Sequence, residues 1–402
     1  MRISRRELAG WLAASGMARG GRAAPQEPDA SHLGNLYPFI QKLADGAPHE
    51  LSFLRPEFRD LKNWQRRARA KVFELLLYTP PPVAPQPELI AKTERDGYLE
   101  EYLSFQTAPE TRVRGYVLVP KNLKAPAPGV VVLHSHDGIY LWGKEKVIEG
   151  RDEHPWLTRF KQQRYAGRGI AADLARRGYV TIAIDMFYWG ERRMLLDDDP
   201  PAWRERPRTM TEEEIQNFNR RASQNESLVA RSLLTAGASW PGILVWDDIR
   251  ALDYLASRPE VDKRRLASVG LSVGGFRSFM LAALDERIKA AVDVGWMTSF
   301  GSQIKRHVIN SMGLSFMPAG LYRHLDLPDL AAAVAPRALL VINGSEDRLF
   351  APDGVKAAFE KIARCYAKAG AAERQRCSLY DAPHEFNAEM QAEAWKWLER
   401  WV

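Results

Sequence analysis

Gly270-Leu271-Ser272-Val273-Gly274 decides how the rest of the chain is read. A short β-like run, Arg265 to Val269, leads into it, and a helix-like run, Gly275 to Leu284, leads out. A serine at such a junction reads as a sharp turn that lifts its hydroxyl above the sheet edge. The flanking positions must be very small, because a Cβ two residues from the serine would clash with tight backbone. The next amide, Val273 N–H, opens the helix and points at a developing oxyanion. A plain turn would use the same residues, so the weight rests on an acid and a histidine further along the chain.

Ala338-Leu-Leu-Val-Ile342 is a continuous apolar run and predicts a strand buried on both faces. It ends in Asn343-Gly-Ser-Glu-Asp347, a turn at the carboxyl end of the strand, where catalytic groups gather in open α/β sheets. The next β-like run, Arg376 to Tyr380, ends in Asp381-Ala-Pro-His384. Ser, Asp, His is the chain order of α/β-hydrolases. Ser272 is the candidate nucleophile, His384 the base that takes its proton, and Asp347 the acid that sets the imidazole tautomer. Glu346 and Asp293 compete for the acid's place, and Asp347 could instead cap the helix near Pro352. His384 is the only histidine after Asp347.

The hole for the oxyanion needs a second donor. Gly129-Val-Val-Val-Leu133 predicts another buried strand, followed by His134-Ser-His-Asp-Gly138. Proteins with this order take one backbone N–H from that loop. His136 N–H is the first choice and Asp137 the next. His134 and His136 could also suggest a metal pair, but a site needs at least a third ligand. No metal and no cofactor is expected.

The chain from about residue 88 to 402 resembles the α/β-hydrolases of the dienelactone-hydrolase-like and acetyl-xylan-esterase-like kind. The matching stretches include Leu133-His-Ser-His-Asp-Gly138, Trp142-Gly-Lys-Glu145 and Asp185-Met-Phe-Tyr-Trp-Gly-Glu-Arg192. Further on come Trp246-Asp-Asp248, Val261-Asp262, Gly270-Leu-Ser-Val-Gly-Gly275, Asp285-Glu-Arg287, Ala335-Pro-Arg337 and Pro383-His384 with Phe386. The resemblance implies the same roles for Ser272, Asp347, His384 and the His136 amide. True dienelactone hydrolases carry cysteine where this chain has Ser272, so the resemblance implies ester hydrolysis, with acetylated carbohydrate as the substrate class. Tyr140 and Trp142 are candidates to stack on a sugar ring, and Trp189 is a further candidate for substrate binding. A serine peptidase of the oligopeptidase type would share fold and triad order, but the several hundred upstream residues of a propeller are missing. A catalytically silent carbohydrate-binding relative would not need an intact Ser272, Asp347 and His384.

Ser4-Arg-Arg-Glu-Leu8 resembles a twin-arginine export signal. Leu8 to Ala18 is mildly apolar and too short to span a bilayer, and small residues come next at Gly20 to Ala24. Residues 1–24 thus read as a signal peptide for periplasmic or secreted delivery. They hold five arginines and one glutamate, so the net +7 of the whole chain leaves +3 for the remainder. That modest charge does not call for nucleic acid or an anionic membrane.

The fold class expected is α/β, a mostly parallel central sheet with helices on both faces, preceded by a helical extension over 25–87. From His32 to Tyr78 the pattern is helical. Leu36, Phe39, Ile40 and Leu43 form one stripe, and Trp64, Ala68, Val72, Leu75 and Leu76 another. Pro80-Pro-Pro82 and Pro85-Gln-Pro87 form a stiff linker. Strands begin near Leu89, with Tyr98–Gln106 and Val113–Val119 antiparallel, and strands then alternate with helices to the end. Two long insertions, 186–240 and 296–327, come after strand ends and could roof the site. Asp197-Asp-Asp199 in the first reads as a solvated loop. Cys365 and Cys377, the only cysteines, could form a bridge or remain two buried thiols.

Overall fold

A computed structural model describes residues 30–204 and 207–402. Its centre is a nine-stranded sheet. The strands are β1 Glu88–Glu94, β2 Tyr98–Ala108, β3 Thr111–Pro120, β4 Ala127–Leu133, β5 Val180–Ile184, β6 Val261–Leu271, β7 Ile288–Val294, β8 Ala338–Gly344 and β9 Gln375–Tyr380. In space they run β1-β2-β3-β5-β4-β6-β7-β8-β9. The pairs β1–β2, β2–β3 and β3–β5 are antiparallel. All pairs from β5–β4 onward are parallel. Parallel strands need helical crossovers that cover both faces, which is why β4, β5, β7 and β8 are near-continuous Val, Ile, Leu and Ala.

The longer helices among the described residues are α1 Tyr37–Asp45, α2 Leu61–Leu76, α3 Pro155–Tyr165, α4 Ile170–Arg176, α5 Glu212–Thr235, α6 Trp240–Ser257, α7 Val273–Leu284, α8 Pro352–Lys368 and α9 Ala388–Trp401. Every residue of α7 is buried. It can be buried all round, and apolar but for Arg277 and Ser278, because α6 and the short Ala331–Val334 turn pack on it while its inner face meets β6 and β7. None of the described helices is by itself long and apolar enough to cross a membrane.

The extension departs from the predicted pattern in two places. The helical stretch is broken over residues 46–60, where Pro48 and Pro56 cannot continue a helix, and Asp60 starts α2 afresh by accepting from Asn63 N–H at 3.1 Å. The α2 stripe is core, with Trp64, Ala68, Val72 and Leu76 buried. The α1 stripe is not: Leu36, Phe39 and Leu43 are 57%, 65% and 61% exposed. The extension is tied to the sheet domain, since Gln65 Nε2 donates to Ala332 O and Ala335 O at 2.9 and 2.6 Å. The proline stretch is pinned too, because Pro85 O accepts from Gln106 N–H at 2.7 Å. Residues 1–24, read as a signal, lie outside the described residues.

Candidate active site

The turn between β6 and α7 forces Ser272 to φ 60°, ψ −127°, a backbone state that costs on the order of 1–3 kcal/mol and is held by its surroundings. Those surroundings explain the glycines. A Cβ on Gly270 would stand 2.3 Å from the Gly274 carbonyl carbon, and one on Gly274 would stand 2.1 Å from Leu133 O. The turn is locked from the next strand by Ser272 N–H donating to Val294 O at 2.7 Å.

The turn after β8 and the loop after β9 bring the other two residues together. His384 Nδ1 lies 2.6 Å from Asp347 Oδ2, and the Asp347 side chain is 2% exposed. Its other oxygen accepts from Leu349 N–H at 2.9 Å. A carboxylate on Nδ1 makes that nitrogen the proton carrier and leaves Nε2 as the acceptor, the tautomer a base needs. Arg164 of α3 steadies the histidine backbone by donating to His384 O at 3.0 Å. A cleft of about 740 Å³ opens against this pair, lined by Arg164, Asn310, Asp347, Arg348 and His384.

Both rival acids are disfavoured by their surroundings. Glu346 is exposed. Asp293, on β7, is wholly buried with no partner for either oxygen among the described residues. Burial pushes its carboxyl up to about 8, so it is mostly protonated at neutral pH. An acid whose folded value lies above its unfolded one stabilises the fold fully below the unfolded value, near 3.8, and that contribution is lost as pH rises to about 8. Asp293→Asn mimics the protonated acid and is expected to flatten this loss. The variant should match the wild type near pH 4 and exceed it by a few kcal/mol near pH 8. Thermal unfolding across that range checks it, and parallel curves would refute it.

The loop after β4 carries the N–H groups expected to meet an oxyanion. The N–H groups of His136 and Asp137 have no protein acceptor among the described residues, and neither does Val273 N–H at the start of α7. Asp137 reaches φ 54°, so the loop turns sharply there. The His136 ring is fixed at both nitrogens: Nδ1 accepts from Gly138 N–H at 2.9 Å and Nε2 lies 2.8 Å from Glu226 Oε1. Glu226 stands on α5, within the first insertion, and also accepts from Tyr140 Oη at 2.9 Å. Trp189 from the first insertion and Phe316 from the second pack edge-on to His136, at 4.8 and 6.4 Å between ring centres. Both insertions therefore converge on the loop after β4.

His134 does not pair with His136. It is buried; its Nδ1 lies 3.0 Å from Ser135 O, and its Nε2 accepts from Met186 N–H at 3.2 Å. Burial and nearby Lys146 and Arg277 hold it well below the ordinary imidazole value, so it stays neutral. No group of three or more metal-ligating side chains is found among the described residues.

The expected stacking face needs correction. Tyr140 and Trp189 are fully buried and stack on each other at 4.9 Å. Trp142 is buried as well, stacked on Trp156 at 5.5 Å. Tyr140 and Trp189 pack against the His136 ring, and Trp142 packs against Trp156 and His154, so none of the three presents an open sugar platform beside His384. The acidic run is solvated at Asp197 and Asp198, which are exposed, and departs from that reading only at its last member. Asp199 is buried, accepts from Leu196 N–H at 2.7 Å and pairs with Arg221 on α5. Cys365 on α8 and Cys377 on β9 are both free thiols.

Three residues near the site were not singled out from the sequence. Arg164 and Lys146 carry no local motif, because their partners are distant in the chain. Glu226 was findable in part: Thr211-Glu-Glu-Glu214 is a capping box that starts α5. Many residues that carry the family resemblance prove to be scaffold. Lys144 Nζ meets Asp185, Glu191 and Glu145 at 2.6, 2.9 and 3.0 Å, and Arg277 of α7 clasps Asp248 of α6 at 2.5 and 2.9 Å. Arg337 donates to Ala282 O, Asp285 O and Ile288 O, tying off the end of α7.

A sheet of this topology with its serine on the elbow, its acid after β8 and its histidine after β9 is an α/β-hydrolase fold. The chain belongs to the Abhydrolase family, whose profile matches residues 34–198 and 208–377. It is 28% identical over 334 residues to the Bacillus subtilis (strain 168) protein "Putative hydrolase YtaP", covering 83% of this chain and 98% of that one. Among solved structures it is similar to a "putative acetyl xylan esterase" from Bacteroides fragilis NCTC 9343, with TM-score 0.65, 22% identity and coverage of 89% and 84%. It is also similar to a glucuronoyl esterase from Solibacter usitatus, with TM-score 0.58, 15% identity and coverage of 85% and 94%.

Proposed function

We propose that the protein is a serine carboxylic-ester hydrolase that works through an acyl-enzyme and removes small acyl groups, acetyl foremost, from carbohydrate esters. The observation that carries this reading is the 2.6 Å Asp347–His384 pair placed on the same sheet edge as the strained Ser272. Ser272 Oγ attacks the ester carbonyl while His384 Nε2 takes its proton. The oxyanion is met by Val273 N–H and by His136 N–H, with Asp137 N–H beside it. The imidazolium returns the proton to the leaving alcohol, and the acyl group stays on Ser272. Water, deprotonated by the same nitrogen, then releases the acid and restores the serine.

The solved structures similar in fold include proteins named for acetyl xylan and glucuronoyl ester hydrolysis, which supports a carbohydrate ester as substrate. The two insertions crowd Trp189, Phe316 and Glu226 around His136, which favours a short acyl group. Turnover of aryl esters is expected to fall at least about tenfold from acetyl to butyryl, as an extra methylene or two overfills a slot at roughly 1–3 kcal/mol. Initial rates over an acyl series, run beside acetylated xylo-oligosaccharides, a uronate methyl ester and a peptide anilide, check it. A preference for long chains overturns the acetyl reading. Turnover of the uronate ester alone would move the sugar to the acyl side, and turnover of the anilide alone would make it a peptidase.

The Ser4-Arg5-Arg6 signal supports export by the twin-arginine route, with residues 1–24 removed and 25–402 delivered folded. Amino-terminal sequencing of the periplasmic or secreted protein tests it, and a start at Met1 would refute it.

A further inference from the structure

Lys146 is wholly buried, yet among the described residues its ammonium has no ion-pair partner within 4 Å. Its Nζ donates to Ser135 O at 2.8 Å and to His136 O at 3.0 Å. A buried cation held by neutral carbonyls, with the face of the Phe160 ring 5.8 Å away as its one further partner among the described residues, is expensive, and a methionine of the same length would fill the space at less cost. The position asks for a reason beyond packing.

The two carbonyls supply one. In a trans peptide the C=O and the N–H point in opposite directions. Ser135 C=O shares its peptide plane with His136 N–H, and His136 C=O shares its plane with Asp137 N–H. One ammonium that gathers both oxygens therefore turns both N–H groups away from itself, side by side. Two successive N–H groups presented this way, at a left-handed residue such as Asp137, make an anion-binding nest. The loop begins against the elbow, since a Cβ on Gly274 would meet Leu133 O at 2.1 Å and His134 O at 3.0 Å. We propose that Lys146 is the positioning residue of the oxyanion hole, its ammonium clamping two consecutive peptide planes so that the N–H groups of His136 and Asp137 are aimed at the oxyanion before substrate arrives. This rests on the acyl-transfer reading of the site.

The surroundings fit that role. Glu226 holds the loop from the far side through the His136 ring, so the peptides are gripped by side chain and by carbonyl. Asp137 Oδ1 lies 3.2 Å from Arg164 Nε. Although burial opposes its charge, Arg164, Lys146 and His384 outweigh that and keep the Asp137 carboxyl below its usual value. Burial also pushes the Lys146 ammonium down, to about 7, against the opposing pull of Asp137, Asp185 and Glu145.

The test compares Lys146→Met, which keeps the volume and removes the donors, with Lys146→Arg, which keeps a cation and donors. An aryl acetate and an aryl boronic acid that places an anionic oxygen in the hole are the probes. Lys146→Met is expected to lower kcat by about 10- to 100-fold with KM within about threefold, since misaimed oxyanion donors act on the transition state. Boronate affinity should fall in parallel, and Lys146→Arg should recover part of both. A folded Lys146→Met enzyme with kcat and boronate binding near wild type overturns the proposal. So does an equal loss in kcat and KM that Lys146→Arg fails to rescue, which marks a merely structural lysine. If Lys146→Met does not fold, the wild type with a phosphonate on Ser272 decides. The phosphonyl oxygen must lie within about 3 Å of Val273 N and of His136 or Asp137 N, with Nζ still on both carbonyls. A phosphonyl oxygen elsewhere refutes the clamp. If Ser272→Ala itself stays active, the acyl-transfer reading has failed instead, and the two failures are told apart by that variant alone.

Discussion

Ser272→Ala is expected to lower ester turnover by a thousandfold or more, with folding intact. Losses of about that size or larger are usual when the nucleophile of a coupled triad is removed, because nucleophile and base act as a unit. The fold should survive because the substitution removes one oxygen from a position whose backbone is set elsewhere. Gly270 and Gly274 leave room for the turn, and Val294 O accepts the residue's own N–H. Alanine has a Cβ as serine does, so the strain at φ 60° is unchanged. The measurement is steady-state hydrolysis of an aryl acetate together with thermal unfolding. More than about a tenth of wild-type activity in a folded variant would remove Ser272 from the mechanism.

Asp347→Asn is the second large effect. The amide keeps the size of the side chain and can offer its NH2 to His384 Nδ1. That bond makes Nδ1 an acceptor and puts the imidazole proton on Nε2, facing away from the role of base. A fall in kcat of about 10³- to 10⁴-fold with KM near normal is expected. Asp293→Asn is the internal control. Its carboxyl is buried, protonated at neutral pH and bonded to nothing among the described residues, so turnover should hold while stability above pH 4 rises. A silent Asp347→Asn with a dead Asp293→Asn would reverse the assignment of the acid.

The three antiparallel strands, the alternation from β4 onward, and the placing of Ser272, Asp347 and His384 at the ends of β6, β8 and β9 were all legible in the residues. Each depends on local rules: apolar runs for buried strands, glycines for a strained turn, loops at the carboxyl ends of parallel strands. The exposed stripe of α1 marks where periodicity stops informing. Leu36, Phe39 and Leu43 lie on one helix face by spacing, but spacing does not say whether anything packs there. The aromatic residues mark the same boundary. Tyr140 and Trp142 follow the loop after β4 and Trp189 follows the β5 end in sequence, which suggests substrate contact. Only the packing of α5 and of one ring on another shows that they are buried.

The chain order Ser, Asp, His and the small residues that permit the elbow between β6 and α7 are properties the sequence determines by itself, because each is read directly from residue type and position. That His384 meets Asp347 and not Asp293 was decided by tertiary structure. It turns on which carboxylate meets the imidazole at 2.6 Å and which is shut into apolar surroundings. The grip of Lys146 on two carbonyls and of Glu226 on His136 was decided there too. Glu226 is 90 residues from its partner in the chain, and the loop, the short turn Lys144–Lys146 and helix α5 come together only when the sheet and its insertions pack. Hydrogen bonds and burial depend on distance in space, and for these groups no local pattern of residues encodes it.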